Sequence, residues 1–105
     1  MPLGVSLLAS AQEWIHACSD EVRQSGVAME INNSPVDRDL RSIQWILESS
    51  DKFGEIILWE SGEAEVSFAV IETSEVRAEH RAITSRAELE DVLTEVLQWV
   101  IGSCD

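Results

Sequence analysis

Apolar residues in this chain keep a helical period at both ends and an alternating period in between, which limits the fold more than any other feature. Near the start, Leu7, Ala11, Trp14, Ile15, Cys18 and Val22 recur at three- and four-residue steps, one stripe of a 3.6-residue period. Ser10 with Glu13 forms a capping-box pattern that starts this helix at Ala11; alternatively Ser6 caps it and Leu7 is already helical. Gly26 supplies a left-handed stop. At the other end, Ser85 and Glu88 make a second capping box, followed by the stripe Leu89, Val92, Leu93, Val96, Leu97 and Val100, and Gly102 closes that helix.

Between the helices the period falls to two. Val27, Met29 and Ile31 alternate with Glu30 and Asn32, and Asn32–Asn33–Ser34–Pro35 is turn chemistry. A second strand is predicted from about Leu40 to Glu48, with Ile43, Trp45 and Leu47 on one face and Ser42, Gln44 and Glu48 on the other. Ile46 breaks this alternation, so the second face is expected to be partly covered there. Ser49–Ser50–Asp51–Lys52 turns the chain, and Phe53–Glu60 and Glu63–Glu72 then flank Ser61–Gly62 as a hairpin. A two-residue loop pairs Trp59 with Ala64, whereas a three-residue loop sets Ile56 and Leu58 beside Val66 and Phe68; the sequence leaves both registers open. A fifth strand, Val76–Ile83, has Val76, Ala78, His80 and Ala82 on one face and Arg77, Glu79 and Arg81 on the other, a charge pattern suited to a sheet edge.

The expected architecture is a single α+β domain over residues 1–105: N-terminal helix, four- to five-stranded antiparallel meander, C-terminal helix. Neither helix joins parallel strands, so the simplest packing lays both on one face of the sheet. The other face then carries Ile46, Ile71 and either Trp45 or Trp59, and an apolar patch left open there marks a partner site.

Charge narrows the choice of partner. Twenty acidic residues against seven basic ones give a net charge of −13, which repels nucleic-acid phosphates and anionic lipid and suits a basic protein. Two cysteines, Cys18 and Cys104, form neither a disulfide framework nor a zinc-site spacing and read as reduced thiols in a cytosolic protein. No Lys or Arg precedes Arg23, so no signal peptide is expected, and no window reaches the ~20 apolar residues of a membrane span. A cytoplasmic protein follows.

Catalytic chemistry has no foothold in the pattern. Gly54 and Gly62 stand alone rather than in a phosphate-binding loop, no Cys-x-x-Cys or His-Glu-x-x-His occurs, and His16 and His80 have no catalytic partner at diagnostic spacing. Glu63 and Glu65 share a strand face, as Glu72 and Glu75 do around the next turn, but nothing singles out a hydrolase pair. No calcium loop is present either. The sequence therefore points to a non-enzyme without metal or cofactor. Trp14 fits the first helical stripe and Trp99 lies at the margin of the last one. Trp59, flanked by Glu60 and Glu63 across the turn, is the preferred exposed anchor, because tryptophan is enriched at binding hot spots.

The run Gly54–Glu55–Ile56–Ile57–Leu58–Trp59–Glu60–Ser61–Gly62–Glu63–Ala64–Glu65, continued through Val70–Ile71–Glu72–Thr73, Glu79–His80 and the Thr84–Ser85 helix start, resembles the TriTu-type immunity proteins of bacterial polymorphic toxin systems. The likeness covers about residues 53–100. It implies a small acidic antitoxin for a co-produced, NAD-using ADP-ribosyltransferase delivered by an Rhs-type system. On that reading Trp59, Glu60, Glu63 and Glu65, with Glu72 and Glu75, plug a basic cleft of the toxin. The alternative is a secretion chaperone that holds an effector segment extended on its sheet. The residues leave the toxin's target and the oligomeric state open.

Overall fold

A computed structural model describes the backbone of residues 3–33 and 41–101 and the side chains from Leu7 onward. Its elements run α1 (Leu3–Gln24), β1 (Ala28–Asn33), β2 (Ser42–Glu48), β3 (Lys52–Trp59), β4 (Glu63–Val70), β5 (Glu75–Ala82) and α2 (Arg86–Ile101). All four strand pairings are antiparallel, and the sheet order is the chain order, a five-stranded meander. Both helices lie on one face and touch each other, with α2 crossing β3 and α1 reaching β1 and β3. No helix among the described residues is long and apolar enough to cross a membrane. Ser34, Pro35, Leu40, Gly102 and Cys104 lie outside the described residues.

The alternation expected from the sequence sets which residues enter the core. Ile43, Trp45 and Leu47 of β2, Ile56 and Leu58 of β3, and Ala64, Val66 and Phe68 of β4 are buried under Leu7, Ala11, Ile15 and Val22 of α1 and Leu89, Val92, Leu93, Val96 and Val100 of α2. Among the described residues, no polar or charged residue is fully buried. Trp99 packs at the margin, as its position beside the stripe suggests; its indole N–H donates to the carbonyls of Phe53 (3.1 Å) and Ala69 (3.4 Å). That contact ties the end of α2 to two strands.

Helix α1 begins earlier than either expected cap. It starts at Leu3, so Ser6 and Ser10 are interior residues. Leu7 and Ala11 are already core residues, and an interior serine costs at most ~0.7 kcal/mol of helix propensity, less than burying a leucine gains. The far end ends as expected. Gly26 has φ +80°, its N–H donates to the Arg23 carbonyl, and the Val27 N–H donates to that of Val22.

At the start of α2, Ser85 Oγ accepts the Glu88 N–H at 3.2 Å. The Glu88 carboxylate returns one residue further back than the standard box, accepting the Thr84 N–H (2.7 Å) and Thr84 hydroxyl (2.8 Å). The Thr84 backbone N–H, then its hydroxyl, hold the Glu88 carboxyl below its ordinary value. A carboxyl lowered in the folded state stabilises the fold above its unfolded pKa of ~4.3 and loses that contribution as pH falls through the folded value. Glu88→Gln is therefore expected to destabilise at neutral pH and to match the parent in the most acidic melts. A constant difference across a pH series of thermal melts would contradict this.

The β3–β4 hairpin takes the three-residue loop. Leu58 pairs with Ala64 and Ile56 with Val66, leaving Glu60–Ser61–Gly62 as the turn. Gly62 has φ +96°, donates to the Trp59 carbonyl at 2.9 Å, and accepts the Ile83 N–H at 2.8 Å. This register puts Glu55 opposite Ser67 on the outer face and Gly54 opposite Phe68 inside. The two-residue alternative would have turned Glu55 into the core. Burial decides the register.

Candidate functional site

With both helices on one side, the other side of the sheet has no covering layer among the described residues. Its strand positions follow from the registers: Ala28, Glu30 and Asn32; Ser42, Gln44, Ile46 and Glu48; Phe53, Glu55, Ile57 and Trp59; Glu63, Glu65, Ser67 and Ala69; and Val76, Ala78, His80 and Ala82. Five of these are glutamates (Glu30, Glu48, Glu55, Glu63, Glu65) and none is Lys or Arg. The strand cations Lys52, Arg77 and Arg81 all lie on the helix side. There they are engaged: Lys52 Nζ sits 4.6 Å from the Trp99 ring centre, the Arg77 guanidinium 4.7 Å from that of Phe68, and Arg81 bonds Glu79 and reaches Glu95. Arg81 holds the Glu79 carboxyl below its usual range chiefly through its hydrogen bond, against an opposing desolvation, with the charges of Arg81 and Arg77 adding smaller effects in the same direction as the bond. The sheet thus separates charge by face. On the helix side the strand cations have partners, and the open side carries glutamates with no Lys or Arg at its strand positions.

The open face is amphipathic as well as acidic. Ile46, Phe53, Ile57 and Trp59 are half-buried among the glutamates and form an apolar band across β2 and β3. Glutamates on this face find only short local partners. Glu55 accepts from the Gln44 amide, Glu30 from the Asn32 amide at 3.1 Å, and Glu65 meets His80 Nδ1 at 2.8 Å.

The structure splits the six expected partner-binding residues into two groups. Trp59, Glu63 and Glu65 stand together on the open face at the hairpin end, with Glu60 in the adjoining turn. The Glu60 carboxylate accepts the Arg41 N–H at 3.2 Å, which joins the hairpin to the start of β2. Glu72 and Glu75 lie at the opposite end of β4, about 23 Å away at ~3.3 Å per residue. Glu72 is exposed in the turn, whereas Glu75 falls on the helix side and accepts the Thr73 hydroxyl at 3.1 Å. That end also carries the exposed Ile71 and Val76 and a cleft of about 270 Å³ over Phe68 and Trp99.

Of the candidates for the open apolar face, Trp59 and Ile46 lie there while Trp45 is a core residue with no exposed surface. Sequence reasoning did not gather Glu30, Glu48, Glu55 and Ile57 into the same site. Each was legible as a strand position, but only the strand order brings them side by side.

No three His, Cys, Asp or Glu side chains among the described residues converge closely enough to hold a metal ion. Cys18 is partly buried, its thiol donates to the Ile15 carbonyl at 3.4 Å, and burial pushes its pKa up. A thiol in that state is a poor nucleophile.

A family model described as Immunity protein TriTu matches residues 9–99, from the first helix to the last. The chain belongs to the TriTu immunity protein family. Comparison with curated proteins and with solved structures returned no match. Membership assigns an antitoxin role, with a cognate toxin as partner.

Proposed function

We propose that this TriTu protein inhibits its toxin by laying the open sheet face, centred on Trp59, Glu63 and Glu65, over the toxin's cationic substrate cleft. The carrying observation is the charge separation: five glutamates and no Lys or Arg at the strand positions of the open face, with the strand cations turned to the other side. Such a face attracts a basic cleft at long range and repels anionic competitors. Trp59 supplies apolar area at the hairpin end, where the β3–β4 pairing and the Glu60–Arg41 contact hold it in place. The resemblance to TriTu proteins supports an ADP-ribosyltransferase as the toxin; its NAD phosphates would be the groups that carboxylates displace. The protein acts in the cytoplasm of the producing cell, without cofactor and without turnover of its own.

The test is inhibition of the toxin domain encoded beside this gene, followed by NAD consumption. Wild type is expected to suppress activity stoichiometrically. Trp59→Ala is expected to weaken binding by roughly 30-fold, corresponding to a hot spot of about 2 kcal/mol. Glu63→Arg/Glu65→Arg is expected to slow association and flatten its salt dependence, with an unchanged melt. Full inhibition by both variants would rule out this face.

A further inference from the structure

We infer that the β1–β2 end of the open face is a receptor cup for an arginine side chain of the toxin. This deepens the function proposed above and rests on it. Ala28, Met29, Glu30, Ile46 and Glu48 line a cup of about 110 Å³. Its floor is apolar, formed on the open face by the half-buried Ile46 with Ala28; Met29 borders the cup, but its side chain packs on the helix side opposite Leu47. Carboxylates stand around that floor. Glu30 lies directly across from Ile46 on β1, Glu55 across from it on β3, and Glu48 two residues along β2 opposite Ala28. Glu30 and Glu48 are diagonal cross-strand neighbours, roughly 7–8 Å apart at the backbone.

Size and chemistry select the occupant. The volume falls well below the ~300–1,000 Å³ of small-molecule sites, so one side chain fits and a free metabolite does not. The acids are too dispersed to hold a metal ion. An apolar floor with separated carboxylates instead suits a long cationic side chain, its methylenes on Ile46 and its head between the acids. A guanidinium suits the gap better than an ammonium, because its planar fork donates on two sides at once. Glu30 and Glu55 accept from the neutral amides of Asn32 and Gln44, and no Lys or Arg at a strand position of this face neutralises their charge. Charge complementarity therefore names the partner group.

Two measurements test this. In the first, the isotope-labelled chain is titrated with N-acetyl-arginine amide and, separately, with its neutral isostere N-acetyl-citrulline amide. The arginine probe is expected to shift the backbone amides of Glu30, Ile46 and Glu48 several-fold more than those of Glu63 and Glu65, and the citrulline probe to shift neither set. Equal shifts at every acidic position, or none at the cup, overturn the inference. In the second, Glu30→Gln/Glu48→Gln is expected to bind the toxin domain about tenfold more weakly with an unaltered melt. If wild type binds and this variant binds equally well, the cup is overturned and the inhibitor function stands. If wild type itself fails to bind, the inhibitor function fails, and the arginine titration alone decides the cup.

Discussion

Trp45→Ala is expected to lower the stability of the fold by about 3–5 kcal/mol, the range for emptying a fully buried tryptophan site. Trp45 has no exposed surface and sits mid-sheet, between Ile31 on β1 and Ile56 on β3. Its ring meets Trp14 of α1 edge-on, with centroids 5.8 Å apart at 80°. Removing it opens a cavity bounded by a sheet and a helix, neither of which can collapse without losing other contacts. For a domain of this size the loss corresponds to a drop in melting temperature of roughly 15 °C or more. Trp45→Phe is expected to cost far less than its lost area suggests. The Trp45 Nε1 is buried with no hydrogen-bond partner, and an unsatisfied buried donor carries a penalty of about 1–3 kcal/mol that phenylalanine removes. Denaturant unfolding followed by circular dichroism gives both values. Equal losses for the two variants would contradict the role assigned to the orphan N–H.

Gly54→Val is expected to destabilise the fold for the opposite reason. A Cβ at Gly54 would lie 2.8 Å from Val100 Cγ2 and 3.0 Å from Val96 Cγ1, so α2 rests directly on the backbone of β3. Valine adds two more methyls where one already fails to fit, and α2 must retreat. Overpacking of this kind costs about 1–3 kcal/mol. Here the retreat also strains the Trp99 hydrogen bonds to Phe53 and Ala69, which sit one residue from Gly54 and from Phe68 opposite it. Gly54→Ala should show a smaller loss, and Val100→Ala should partly rescue it by opening space at the nearer contact. Strict additivity of those two substitutions in thermal melts would show that α2 does not bear on Gly54.

Much of this molecule can be read from pattern alone, for a physical reason. Helical stripes and strand alternation report which side of each element leaves water, and every element but α1 starts within two residues of its expected position. The α1 start went wrong because two serines offered caps at Ser6 and Ser10, while burial of Leu7 and Ala11 favoured a longer helix. The Ser85–Glu88 box was legible because both its residues lie within one turn. The expected site divided along the same line. Trp59, Glu63 and Glu65 are close in sequence and met on the open face, whereas Glu72 and Glu75 are also near in sequence but lie a full strand length away.

The sequence by itself determined the order of elements, the α+β class, the core stripes of the two helices and the acidity, because these depend on local period and composition. The tertiary structure decided the hairpin register, the side on which Trp45 and Trp59 part, and the alignment of Glu30, Ile46, Glu48 and Glu55 into one surface. Those outcomes depend on which strand lies beside which, and on a helix layer that claims one face of the sheet and leaves the other open. Pairing between distant segments is fixed by the burial of the whole core, and no single stretch of chain contains that information.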